Sequence, residues 1–287
     1  MHVALKYHVS HPNAKETAKR MLESLDNNGI EVELLQFDLT SEIPEVPHEN
    51  MVDKLKDLDM LISIGGDGTL LSSARLACFA DIPVLGINAG RFGFLTEATT
   101  EELNSVTERL LAGKYCIEER KLLWASFYHG DKLREYIGLN DVVIHRQALS
   151  RILSLETYLD EKYVATYEGD GLIIATPTGS TAYNLSTGGS IVHPDVDCLL
   201  LTPICPHTLS LRPMIISPGS KIRIVPRFAG LPAEINITFD GQKSGRIVIE
   251  QPIRAGYSSL RCRLVRLRDE DFFSLIRRKL HWGVLVR

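Results

Sequence analysis

No two cysteines of the sequence stand in C-x-x-C spacing, and the five present, Cys78, Cys116, Cys198, Cys205 and Cys262, are odd in number and scattered. That argues against a zinc ribbon or a redox pair and leaves ordinary reduced thiols. An excess of positive charge is missing too: 32 Lys and Arg against 36 Asp and Glu give a net charge of -4 and a pI near 6.2. Such a chain has no overall basic field to hold nucleic acid. No stretch approaches the ~18 uninterrupted apolar residues of a membrane span, and MHVALKYHVSHPNAK lacks a basic flank followed by a long apolar run. The expectation is a soluble, cytoplasmic protein. Low-complexity linkers and internal repeats are absent as well. Asn236-Ile237-Thr238 matches a glycosylation sequon, but inside the strand-like EINITF of a chain expected in the cytosol it carries no meaning.

What is present begins with apolar content. With 44% hydrophobic residues in 287, the chain can build one large core or two moderate ones, and two domains are expected. Strand-like HVALKYHV is followed by a helical pattern in HPNAKETAKRMLESLDNNG, stopped by Gly29. EVELLQF, MVDKLKDLD, MLISI, LLSSARLACFA and IPVLGIN continue the alternation. Strands alternating with helices imply parallel pairing with right-handed crossovers. Residues 1–115 are therefore expected to form a doubly wound α/β domain. From Cys116 onward, short segments rich in Val, Ile, Thr and Tyr, punctuated by Gly, Asp and Pro, point to a β-rich, sandwich-like domain over 116–265. Helical spacing returns in DEDFFSLIRRKLHWG, so 266–287 is expected to be a tail that packs back on the first domain.

Chemistry is concentrated in three segments. Gly65-Gly66-Asp67-Gly68-Thr69 lies between a buried strand and a helix, where backbone N–H groups and the helix N-terminus can meet an anion unobstructed by Cβ atoms. A carboxylate beside a phosphate is repulsive unless it binds a metal ion or takes a proton from an attacking hydroxyl, and both roles belong to phosphoryl transfer. A tight turn with Asp67 as a helix cap is the plainer alternative. No lysine follows the glycines as in a P-loop, and G-x-G-x-x-G is not matched. The second segment, Thr176-Pro177-Thr178-Gly179-Ser180-Thr181-Ala182-Tyr183, follows strand-like GLIIA and gathers four hydroxyl side chains and one ring, although Pro-Thr-Gly-Ser is also good turn chemistry. The third is Asn140-Asp141 at the head of LNDVVI, an amide and a carboxylate suited to a ribose diol or an adenine edge.

The GGDGT loop resembles a superfamily that includes NAD kinases, diacylglycerol and sphingosine kinases and phosphofructokinases. The octapeptide resembles the TPTGSTAY signature of NAD kinases in particular, and Asn140-Asp141 resembles their Asn-Glu pair, with Asp141 one methylene shorter. NAGRFGFL, GGSIVHP, PICPHTLSLRP, FDGQ and KLHWG extend the resemblance over the whole chain. It implies an α/β domain, an all-β domain, a substrate site between them and a homodimer or homotetramer. The implied reaction is attack of the NAD 2′-hydroxyl on the γ-phosphate of ATP, or on polyphosphate, with Mg²⁺ carried by the phosphates.

By motif position, Asp67 resembles the general base, with Gly66, Gly68 and Thr69 lining the phosphate region. Phe94 resembles an apolar contact to adenine. Asn140 and Asp141 map to the adenosine end, and Thr178, Thr181, Ala182, Tyr183, Asn184, Leu185 and Ser186 to the nucleotide-binding run. Asp170 resembles a contact to the nicotinamide-side ribose or amide, or shapes a turn, with Glu168 on the same face if that stretch is extended. Arg151 and Gln242 are further candidates. His193 and His207 lack metal-ligand spacing and are read as structural. The alternatives are another kinase of the superfamily, acting on a lipid or sugar phosphate, and a dinucleotide sensor that has lost transfer.

Overall fold

The computed structural model describes residues 1–35, 49–90, 93–146, 152–227, 235–268 and 270–283. The chain divides into two compact units: Met1–Glu119 with Cys262–Arg287, and Arg120–Arg261.

The first unit opens with strand β1 (His2–Tyr7), helix α1 (Pro12–Asp26), β2 (Glu31–Leu35), α2 (Glu49–Lys56), β3 (Met60–Gly65), α3 (Asp67–Ala80), β4 (Val84–Asn88), β5 (Ala98–Thr99) and α4 (Leu103–Leu111). Proline in its first turn favours α1, where a missing N–H costs nothing. Ala14, Ala18, Met21 and Leu25 then recur at helical spacing on its buried side. Gly29 closes the turn with φ +69°, a conformation natural to glycine. The strands run parallel in the order β4-β3-β1-β2. All six residues of β3 are buried, the pattern of a parallel strand covered on both faces. Because β2 and β3 lie on opposite sides of β1, the strand order reverses there. The loop after β3 thus emerges at the switch point, where open α/β sheets bind ligands.

The second unit is an antiparallel sandwich. Strand β6 (Cys116–His129) begins in the first unit, and β7 (Lys132–Gly138), β8 (Asp141–Arg146), β9 (Leu153–Leu159), β10 (Lys162–Gly169) and β11 (Gly171–Ala175) follow. A 3₁₀ turn (Thr178–Thr181), the short helix α5 (Tyr183–Ser186), β12 (Leu199–Ile204), β13 (Met214–Ile216), β14 (Ile222–Arg227), β15 (Ile235–Phe239), β16 (Lys243–Ile247) and β17 (Ile253–Arg266) complete it. One sheet has the order β13-β12-β11-β8-β15-β16. In the other layer β9 lies between β10 and β14, and β14 pairs with the start of β17. Val142, Ile144, Leu172, Ile174, Ile237 and Phe239 lie on one face of the first sheet and enter the core between the layers. The alternate residues Asp141, Val143 and His145 face the other way. At its far end β17 returns to the first unit, where Leu264 pairs with Val84, and α6 (Phe272–Leu280) follows, capped by Asp271, whose carboxylate accepts from the N–H groups of Phe273 and Ser274. No helix among the described residues is long and apolar enough to cross a membrane.

Candidate active site

In the first unit, Asp67 is the first residue of α3, and it does not cap the helix. Its two carboxylate oxygens instead accept the backbone N–H groups of Phe94 at 2.7 Å and Leu95 at 3.1 Å. A carboxylate offers about four lone-pair positions, so among the described residues two are left for a hydroxyl or a cation. The glycines serve different ends. A Cβ on Gly65 would fall 2.3 Å from Oγ1 of Thr69, whereas one on Gly66 would meet nothing within 4 Å. Gly65 is therefore needed for packing, and the exposed Gly66 and Gly68 leave the backbone accessible. Thr69 is buried and structural: its carbonyl accepts from the hydroxyls of Ser72 and Ser73, each at 2.9 Å. Beneath this turn the Lys6 ammonium donates to Ser72 Oγ at 2.8 Å. Burial, and then the charge of Arg75, pushes Lys6 down to about 7.

The second unit holds a cavity of about 450 Å³ on the outward face of β8, within the usual range of roughly 300–1,000 Å³ for small-molecule sites. Asn140, Asp141, Asp170, Ala182 and Tyr183 line it, so three segments distant in sequence meet there. The arrangement depends on close backbone approach. Thr176 N–H donates to the Asn140 carbonyl at 2.9 Å, and Thr176 Oγ1 donates to Leu139 O at 2.6 Å. A Cβ on Gly179 would lie 2.0 Å from that same Asn140 oxygen. The glycine of the octapeptide is thus where the 3₁₀ turn presses on the Asn-Asp pair.

Several residues have roles that their sequence positions did not reveal. Asp240 accepts the N–H groups of Leu139, Asn140 and Asp141 at 3.1, 2.8 and 3.3 Å, fixing the entry to β8. Its φ of +52° suits an aspartate in a turn, and FDGQ entered the sequence reading only through the resemblance, with Gln242 as its candidate. Arg146 pairs with Asp170 at 2.5 Å, so Asp170 is held by a charge as well as shaping a turn. His145 and Thr238 complete the polar wall. Burial, followed by the charge of Asp240, pushes the Asp141 carboxyl up to about 7.

Other expected contacts are placed differently. Asn184 is fully buried: its amide donates to the carbonyls of Ser180 and Ser190, both at 3.1 Å, and its oxygen accepts from Thr202 at 2.6 Å. Both amide hydrogens are spent on holding the turn. Glu168 does not share a face with Asp170, because the chain changes sheets between β10 and β11; Glu168 is exposed and lies 3.5 Å from Ser154 Oγ. Thr178 is buried and accepts from Arg120 at 3.2 Å. Thr181 and Leu185 are half-buried and Ser186 is exposed. Phe94 is half-buried, and Gln242 is exposed in the turn after β15, its N–H donating to the Phe239 carbonyl. Arg151 lies outside the described residues.

The comparisons with known proteins decide the family. Residues 3–115 match the model of the ATP-NAD kinase N-terminal domain, and residues 139–267 match that of the ATP-NAD kinase C-terminal domain. The chain belongs to the NAD kinase family. It is 44% identical over 233 residues to the NAD kinase of Geobacter metallireducens, covering 80% of this chain and 82% of that one. Among solved structures it resembles yeast NADH kinase complexed with NADH, with a TM-score of 0.87, 25% identity and coverage of 100% of this chain and 89% of that chain. It also resembles an NAD kinase from Archaeoglobus fulgidus in complex with ATP, with a TM-score of 0.74, 26% identity and coverage of 96% and 99%.

Proposed function

We propose that the chain makes NADP from NAD by moving the γ-phosphate of ATP to the 2′-hydroxyl of the adenosine ribose, with Asp67 receiving or orienting the hydroxyl proton. Phosphorylation of NAD is the activity of the family, and the chain is a kinase by membership. The finer assignments rest on the geometry. The observation that carries them is the cavity of the second unit, where Asn140-Asp141 and the Ala182-Tyr183 end of the octapeptide face one space. These are the two segments that favour a dinucleotide over a lipid or sugar phosphate. A ribose diol offers donors to the Asn140 amide oxygen and to Asp170, and the partly exposed ring of Tyr183 gives a base a face to stack on.

At the phosphate end the chain supplies the exposed glycines Gly66 and Gly68, the N-terminus of α3 and the Asp67 carboxylate. Asp67 has lone pairs left after serving Phe94 and Leu95, so it can accept the hydroxyl proton while held in place. Among the described residues no three His, Cys, Asp or Glu side chains gather into a metal cage. This donor set fits a Mg²⁺ ion held mainly by phosphate oxygens and water, with Asp67 as the loop's carboxylate. When bound, such an ion supplies charge neutralisation to the transferring phosphate. The resemblance supports polyphosphate as a second donor, a homodimer or homotetramer, and a cytoplasmic location. Purified protein given NAD, Mg²⁺ and either ATP or polyphosphate should form NADP, read with an NADP-specific dehydrogenase. Light scattering reads the assembly. Formation of a phosphorylated lipid or sugar with NAD left unchanged would refute the assignment.

A further inference from the structure

Three acids line the cavity of the second unit; Asp170 is paired with Arg146, and of the other two the backbone donors at the cavity edge serve one. Asp240 receives three N–H groups, from Leu139, Asn140 and Asp141. Asp141 is 3% exposed and lies on the cavity face of β8. Among the described residues nothing donates a hydrogen bond to its carboxylate, and its own N–H is turned toward Asp240. A buried carboxylate with no donor and a second acid as neighbour is an unfavourable place for a negative charge. A carboxylic acid fits better. It carries one O–H donor and one carbonyl acceptor side by side, the complement of an amide-like edge. A dinucleotide has two such edges, the amino group and ring nitrogen of adenine and the carboxamide of nicotinamide.

We propose that Asp141 meets the dinucleotide as a neutral carboxylic acid, its O–H donating and its C=O accepting against an amide-like edge of the ligand. The proposal rests on reading the cavity as the NAD site. It gives the shorter Asp141 a purpose of its own, reading a base or amide edge where ionised carboxylates would only accept. The direction of titration agrees, since burial and Asp240 push the Asp141 carboxyl up to about 7. The neutral form therefore prevails below pH 7 and is lost above it.

Other titratable or charged groups around the cavity are His145 and Arg146 on the same strand, Asp170 before β11, Asp240 after β15 and Tyr183 of α5. Arg146 and Asp170 are paired with each other, and Arg120 reaches Thr178 in the adjoining turn. The experiment must separate these from Asp141. The KM for NAD of the parent enzyme should rise about tenfold from pH 6 to pH 8, the change in the neutral fraction of a group titrating near 7. Asp141→Asn presents the same donor and acceptor without titrating, and its KM should be level across that range. In His145→Gln the rise should persist.

Nicotinamide hypoxanthine dinucleotide replaces the adenine amino group by a carbonyl, and 3-acetylpyridine adenine dinucleotide removes the carboxamide N–H. Loss of the pH dependence with one analogue identifies the edge that Asp141 reads, and retention with both overturns the pairing. A level KM in the parent enzyme, or an Asp141→Asn enzyme whose KM is raised tenfold or more at pH 6 and pH 8 alike, overturns the proposal and leaves Asp141 an ionised acceptor. Failure of the parent to bind NAD calorimetrically at any pH overturns the site reading and the proposal together. Circular dichroism checks the fold of each variant. Infrared difference spectra should show a protonated carboxyl band below pH 7 in the parent that is missing from Asp141→Asn, a readout independent of turnover; its absence from the parent would overturn the proposal.

Discussion

Gly93→Ala tests how the carboxylate of Asp67 is held. Gly93 is not in the left-handed region of backbone space, so alanine brings no conformational strain there. The added Cβ, however, would fall 1.8 Å from Oδ1, 2.2 Å from Cγ and 2.4 Å from Oδ2 of Asp67. Comfortable contact needs about 3.5 Å, so the carboxylate or the chain at 93–95 must shift by more than 1 Å. Either shift breaks the hydrogen bonds to Phe94 and Leu95, each worth about 1.5–3 kcal/mol when the acceptor is charged. A displacement of about 1 Å at a reacting group costs on the order of 100-fold in rate, or about 2.7 kcal/mol. The assay is steady-state NADP formation with saturating ATP and Mg²⁺, for the parent, Gly93→Ala, Asp67→Asn and the double variant. Because both changes act through one carboxylate, the double variant should be no slower than Asp67→Asn alone. Near-parental kcat in Gly93→Ala, or losses that multiply in the double variant, would refute the reasoning.

Lys6→Met should stabilise the fold. The folded value of Lys6, about 7, lies below its ordinary 10.5, so between those values the unfolded chain holds more protons and stability contributed by this group rises with pH. The gain from Lys6→Met is therefore full below about pH 7 and should shrink by about 1.4 kcal/mol per pH unit above it. Urea unfolding at pH 6.5, 8 and 9 measures this, and a gain independent of pH would contradict it. Gly179→Ala sets a Cβ against the backbone of Asn140, a clash no side-chain rotation relieves; it should cost about 1–3 kcal/mol by thermal unfolding and raise the KM for NAD. Asp240→Ala strands three N–H groups at the entry to β8 and should cost about 3 kcal/mol in denaturant unfolding, while Asp240→Asn, which keeps an acceptor, should cost less.

Local signals made much of this legible. The alternation of strands and helices up to IPVLGIN and the change to short β segments after Cys116 gave the two classes of architecture. GGDGT and the octapeptide announced themselves because glycine and hydroxyl residues at turns leave a compositional mark. What sequence could not show were partnerships across long separations. Asp67 meets the N–H groups of residues 27 and 28 positions away, and Asp240 serves a segment about 100 residues distant. Nothing in Asp-Gly-Gln distinguishes such an aspartate from one that only turns the chain. Asn184 is a polar residue of the motif whose amide is spent on holding the motif together, a use that sequence position does not show. Glu168 and Asp170 obey the two-residue rule only within one strand, and the change of sheet between them lies outside that rule.

The most direct measurement is the rate of NADP formation from NAD and ATP by the parent enzyme and by Asp67→Asn, with NAD affinity read in parallel by calorimetry. The account predicts NADP from the parent, a loss on the order of 100-fold or more in kcat for Asp67→Asn, and NAD binding that stays within a few-fold. Absence of NADP from the parent, or turnover by Asp67→Asn near the parental rate, would contradict it.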